Sequence, residues 1–272
     1  GEFTYYKDEG FTPKCMIYKN SGATHGVMDL RHALSVSCNY YFYEIVNQIY
    51  YKYNHTIDPI DDVAKAMGLG ESTGVELSES TGYRANAETK AMLYGEDNSG
   101  FYGGDALVAA IGQSENKFTV MQMATYTATL ANAGTRYRTT FLQRVVSADY
   151  RTLVKDVEPE VIHDLNISPQ AMAATVEGMQ LCATEGTAKK TFANYDIAVC
   201  AKTGTAEHDA GGSSNASFVC FAPADDPQIA IAIYVEKGGS GSSLGTIAKD
   251  ILDVYFTEDS SKEVYYSEGV PN

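Results

Sequence analysis

Basic side chains are scarce in this sequence. Lys and Arg together number 20 against 35 Asp and Glu, a formal charge of −15 over 272 residues with a pI near 4.7. A surface of that sign repels phosphate backbones and anionic headgroups, which excludes nucleic acid as a partner. Long apolar runs are missing as well. The longest, from Ile229 to Val235 between Gln228 and Glu236, has the length of a strand and not of a membrane span or signal peptide. There is no Cys-x-x-Cys and no His-Glu-x-x-His. The five cysteines (Cys15, Cys38, Cys182, Cys200, Cys220) are odd in number and scattered, so a disulfide framework, a structural metal and a cofactor are not expected. No internal repeat is found.

What is present suffices for a core: 44% of residues are hydrophobic and 20% charged. Residues 1–28 show no sustained period and read as irregular connection. Asp29 can cap a short helix through Val36, and a second helix after Asn39 carries Phe42, Ile45, Val46 and Ile49 as a stripe. A third runs from Pro59 to a stop at Gly68. Residues 70–105 read as a surface excursion with one short helix over 86–93. Thr119 and Gln122 form a capping box for a helix that Gly134 ends, 141–147 is a short strand, and Ser168 with Pro169 opens another helix.

The last third changes character. Residues 197–206, 216–222 and 229–236 are β-rich runs with short links, hence antiparallel neighbours, and a helix over 244–256 follows. The fold class is α+β, a helical region plus an antiparallel sheet with a covering C-terminal helix. Residues 1–272 are expected to form one domain, with 257–272 a loosely held tail. Cys200 and Cys220 fall on neighbouring predicted strands, where a disulfide is an alternative to two small buried thiols; the thiols are preferred.

The chemical signal centres on Ala201-Lys202-Thr203-Gly204-Thr205-Ala206, on the first of the three strands. Alternation puts Lys202 on one face and Thr203 and Thr205 on the other, so all three serve one cleft only if the strand lies along its edge. Gly204 lets a ligand backbone approach. Lysine, hydroxyls and backbone N–H groups together suit a carboxylate and a developing oxyanion. Ser37-Cys38-Asn39, at a joint between two helices, adds a hydroxyl and an amide. Cys38 reads as a packed thiol and His208 as a residue of the cleft rim, while Glu115 and Glu207 carry no pairing signal.

Ser-x-Asn followed by Lys-Thr-Gly resembles the motif set of penicillin-binding proteins and serine β-lactamases. Four further segments are similar to penicillin-binding protein transpeptidase domains in the same order: Ala66-Met67-Gly68-Leu69-Gly70 with Thr73-Gly74-Val75-Glu76-Leu77; Ile111-Gly112-Gln113 with Thr119-Val120-Met121-Gln122; Glu185-Gly186-Thr187-Ala188; and Phe218-Val219-Cys220-Phe221-Ala222-Pro223. The resemblance implies a D,D-transpeptidase that cross-links peptidoglycan through a serine ester, needs no cofactor, binds the stem peptide and β-lactams, and belongs to a membrane-anchored parent at the extracytoplasmic face. It implies that Lys202 holds positive potential and contacts Ser37, that Ser37 relays a proton, and that Asn39 holds the stem peptide. Thr203, Gly204 and Thr205 would bind the terminal carboxylate and the oxyanion.

The family also places its nucleophile in a Ser-x-x-Lys before Ser-x-Asn, and no such motif precedes Ser37. The one Ser-x-x-Lys present, Ser114 to Lys117, occupies the Gly-Gln loop, so Ser114 is expected to be a loop serine and not a nucleophile. The expectation is therefore a domain lacking its N-terminal strands and nucleophile helix, taking no covalent penicillin label, and associating with itself or with a complementing N-terminal segment through an exposed sheet edge or face. Alternatives are a serine β-lactamase or β-lactam sensor, for which no deacylating base is evident, and a non-catalytic wall- or partner-binding module.

Overall fold

The computed structural model describes residues 1–149, 151–207 and 212–258. The first segment is not irregular throughout. It holds helix α1 (Met16–Ser21), and Phe3, Tyr6 and Cys15 are buried. Asp29 accepts the His32 N–H at 3.0 Å and starts α2 (Leu30–Ser35), which α3 (Asn39–Lys52) follows after a three-residue joint. The buried face of α3 is Tyr43, Val46, Asn47 and Tyr50; of the expected stripe Phe42, Ile45, Val46 and Ile49, only Val46 is fully buried and the others are half-buried. The reason lies outside the helix: Phe3, Tyr6 and Leu107 pack on Tyr43, and the Tyr6 hydroxyl donates to Asn47 Oδ1 at 2.7 Å. Tertiary partners thus select which apolar positions face inward.

Helix α4 (Asp58–Ala66) starts with Pro59 in its first turn and is followed by Gly68 at φ 91°. Helix α5 (Ala87–Tyr94) lies where a short helix over 86–93 is expected, and Asn86 caps it. Helix α6 (Gly103–Ala110) was not expected; it packs against α3 and buries Ala106 and Leu107. The Thr119–Gln122 capping box opens α7 (Val120–Ala131). Gln122, fully buried, also donates to the carbonyls of Glu71 and Thr81 at 2.7 and 2.8 Å, which pins the 70–105 excursion to the helix.

Four short strands follow: β1 (Thr135–Tyr137), β2 (Arg144–Val146), β3 (Leu153–Asp156) and β4 (Val161–Asp164), paired antiparallel as β1 with β4 and β2 with β3. Only the β2 region was anticipated. Ser168 accepts the Ala171 N–H at 3.2 Å at the head of α8 (Pro169–Thr184), and α9 (Lys189–Phe192) is a single turn. The main sheet is β5 (Cys200–Ala206), β6 (Asn215–Ala222) and β7 (Ile229–Val235), antiparallel in the order β5-β6-β7, and α10 (Gly245–Glu258) covers it. The predicted α+β architecture holds. The residues beyond Glu258 in the predicted tail, and His208, lie outside the described residues.

The sheet sits between two helical layers. Phe218, Cys220 and Ala222 face Phe192, Leu244, Ala248 and Leu252 on one side, while Cys200 and Phe221 face Leu130, Met172 and Met179 on the other. Cys200 and Cys220 therefore point to opposite faces. Both are free thiols, because adjacent strands in this register cannot bring them together. Helix α8 lies close against α2 through Gly178, where an added Cβ would come within 2.9 Å of Leu34 Cδ1. At the far edge of the sheet, β7 leaves Tyr234 and Val235 exposed, and α10 exposes Ile247, Ile251 and Val254.

Candidate active site

Strand β5 is an edge strand, so both of its faces border one cleft, the condition under which alternating Lys202 and Thr203 can share a site. The cleft has a volume of about 430 Å³, and its walls include Ser37, Asn39, Gly112, Gln113, Lys202 and Thr205. Ser37 sits in the joint between α2 and α3 at φ 53°, a left-handed conformation that costs a non-glycine residue of order 1 kcal/mol or more. That turn aims its hydroxyl across the cleft. Lys202 Nζ donates to Ser37 Oγ at 2.5 Å and to its neighbour's carbonyl, Thr203 O, at 2.7 Å.

The lysine has no carboxylate within ion-pair distance among the described residues. Its stem is only half-buried along the cleft, but the ammonium is densely surrounded, and this desolvation lowers its pKa. Thr203 and Thr205 are held differently. Thr203 Oγ1 lies 2.7 Å from Thr187 Oγ1, which is in turn 3.2 Å from Cys182 Sγ. Thr205 Oγ1 accepts the Gly241 N–H at 3.2 Å, which leaves its own proton free to donate into the cleft.

Thr187 is the residue that reasoning from sequence left without a role. Its N–H donates to Ser35 O at 3.1 Å while its hydroxyl meets Thr203, so one residue ties the Ser37 turn to the Lys202 strand. Beside it, Gly186 has room for no side chain: a Cβ would lie 2.1 Å from Ser35 O. Asn39 opens α3 at the cleft wall, as expected. Ser114, also at positive φ (63°), donates its hydroxyl to the carboxylate of Glu115 rather than facing a lysine. Glu207 pairs with Lys19 at 2.8 Å on the surface, so both carboxylates have partners that the sequence did not signal.

The fold also assembles a ligand set where no metal was expected. Sulfurs of Cys15 and Cys38 and a ring nitrogen of His25 lie within 4.8 Å of one another, with both thiols buried. Cys15 Sγ and His25 Nδ1 are 3.6 Å apart. A tetrahedral zinc ion with Zn–S of about 2.3 Å and Zn–N of about 2.0 Å sets its sulfur and nitrogen roughly 3.6 Å apart, so the residues fit a soft divalent cation. The Cys15 thiol is lowered to about 4, chiefly by its hydrogen bond with Cys38 and, against the cost of burial, by the Tyr40 and Asn39 N–H groups at the start of α3. Cys38 is the middle residue of Ser-x-Asn, so this cluster abuts the cleft.

Comparison with known proteins fixes the family. Residues 3–253 match the model of the penicillin binding protein transpeptidase domain. The chain belongs to that family. Peptidoglycan D,D-transpeptidase MrdA of Haemophilus influenzae is 29% identical over 91% of this chain and 39% of its own length. Penicillin-binding protein 2A of Bacillus subtilis is 28% identical over 96% of this chain and 38% of its own length. Among solved structures, penicillin-binding protein PBP2 in its complex with MreC from Helicobacter pylori aligns with a TM-score of 0.73 at 26% identity, covering 91% of this chain and 43% of that one. The transpeptidase-domain chain thus spans about two fifths of the length of these relatives, and its arrangement of helices around an antiparallel sheet is the arrangement expected.

Proposed function

We propose that this chain supplies the substrate groove and proton relay of a peptidoglycan D,D-transpeptidase. The observation that carries the reading is the contact between Lys202 and Ser37 at the floor of a cleft that Asn39 and Thr205 border. In that role Lys202 maintains positive potential at the ester-forming centre, and Ser37 passes a proton to the departing amine. Asn39 hydrogen-bonds the stem peptide. Thr205 donates to its terminal carboxylate, with Thr203 held in place by Thr187. The carbonyl of the penultimate D-alanine is acylated onto a serine, D-alanine leaves with the relayed proton, and an amine of a neighbouring strand then displaces the serine.

Ser114, engaged by Glu115, is not assigned as the acylated serine. The parent enzyme would work at the extracytoplasmic face of the membrane. No helix among the described residues is long and apolar enough to cross a membrane. A ligand set at Cys15, His25 and Cys38 would, when loaded, brace the Ser37 turn from behind and take no direct part in acyl transfer.

Titration of the chain with N-acetyl-D-alanyl-D-alanine and with penicillin G, followed by calorimetry and intact mass, tests the reading. Saturable, reversible binding that weakens in Thr205→Val supports it. A stable adduct on any serine of the chain would overturn the relay role of Ser37, and turnover of penicillin would establish the β-lactamase alternative instead.

A further inference from the structure

Away from the cleft, α4, β1 and β4 enclose a surface depression of about 370 Å³ lined by Asp62, Lys65, Glu71, Arg136 and His163. Its floor is Arg136, only 9% exposed. The guanidinium lies against the backbone of Gly68, where a Cβ would come within 3.2 Å of Cζ. Nη1 donates to the carbonyls of Lys65 and Ala66, at 3.2 and 3.0 Å, at the C-terminal end of α4. Those two bonds fix the plane of the group. The Nε and Nη2 hydrogens have no acceptor among the described residues, yet neither nitrogen is sealed from solvent, so both open into the depression.

That free edge has a defined chemistry. Nε–H and one Nη2–H run parallel, the fork that grips a carboxylate through both oxygens. Donors that open into a depression on an otherwise buried side chain are available to a ligand that displaces water. The surroundings add to the demand: β1 and β4 pair Arg136 directly with His163, two basic side chains on one face of a ribbon, with Lys65 alongside. On a chain of net charge −15 this is a local excess of donors. Acidic groups are present, and Glu71 favours the guanidinium charge from beyond ion-pair distance. Glu71 is held by Arg84 Nη1 at 2.8 Å and makes no ion pair with Arg136, and Asp62 stands exposed on the same helix as Lys65.

We infer that this depression is a second binding site, taking a small carboxylate that also bears an ammonium group, an amino acid or a charged peptide end. Arg136 receives the carboxylate in bidentate fashion and Asp62 faces the ammonium. The two rim carboxylates disfavour a dianion such as phosphate, because each adds like-charge repulsion that a zwitterion does not meet. The site is independent of the transpeptidase reading, since none of its residues touches the cleft around Lys202.

The test follows the Arg136 Nε–H resonance of the whole chain in ¹H–¹⁵N spectra during titration with alanine, acetate and inorganic phosphate. A saturable shift is expected with alanine, a weaker one with acetate and the weakest with phosphate. Arg136→Lys keeps the charge but loses the fork; read through the Lys65 and His163 backbone amides, alanine should bind it roughly tenfold more weakly. Because Arg136 also holds the end of α4, Asp62→Asn provides a variant at an exposed position, expected to keep acetate binding while losing the preference for alanine. Absence of a saturable shift, a preference for phosphate, or unaltered alanine binding in both variants would overturn the inference.

Discussion

Lys202 carries a stability cost that pH should reveal. Desolvation lowers the pKa of its ammonium below the ordinary 10.5, so between the folded-state value and 10.5 the unfolded chain binds one more proton than the folded one. Stability contributed through this group is therefore lowest where both states are protonated and rises as pH rises through that window. The slope is bounded by one proton, about 1.4 kcal/mol per pH unit. Lys202→Met keeps the unbranched stem, one atom shorter, and removes the charge. It also removes the bonds to Ser37 Oγ and Thr203 O, a pH-independent loss of about 1 kcal/mol each. Denaturant unfolding of both proteins from neutral to alkaline pH separates the two effects, because the tyrosines titrate alike in each. The wild-type minus variant difference should climb with pH toward that bounded slope. A constant difference across the range would refute the account of a desolvated lysine without a counter-charge.

Gly186→Ala forces a Cβ to within 2.1 Å of Ser35 O and should cost about 1–3 kcal/mol, with shifts in the Ser37 and Thr203 amide resonances that report the coupling through Thr187; unchanged resonances would refute that coupling. Burial raises the Cys200 and Cys220 thiols to about 12, so both should resist alkylation in the native state and carry no mutual disulfide by non-reducing mass analysis. Competition with a chromogenic chelator should show Zn²⁺ bound in a way that tightens as pH rises, because thiol protons are displaced, and Cys15→Ser should lose that binding; equal affinity in the variant would refute the ligand set.

Much of this protein was legible in its sequence, for local reasons. Caps at Asp29, Thr119 and Ser168 satisfy backbone N–H groups within three residues, so they announce helix starts without any knowledge of the fold. The β-rich runs of the last third predicted the sheet, and Ser37, Asn39 and Lys202 were singled out by residue type and order before their distances were known. Elements whose stability is non-local were missed. The buried face of α3 depends on Phe3 and Tyr6 from a segment with no period of its own, α6 depends on packing against α3, and β1 and β4 are held by pairing across a long connection.

The sequence by itself thus determined the architecture and the motif residues, because hydrophobic period, caps and turn chemistry act over a few positions. Tertiary structure alone decided three matters. It brought Lys202 to Ser37 across 165 positions and gave Thr187 its place between them. It gathered Cys15, His25 and Cys38, whose spacing in the chain matches no metal signature. It also buried Arg136 with its fork turned outward. Each is a relation between side chains on different elements, and sequence spacing carries no record of such a relation until packing sets the distance.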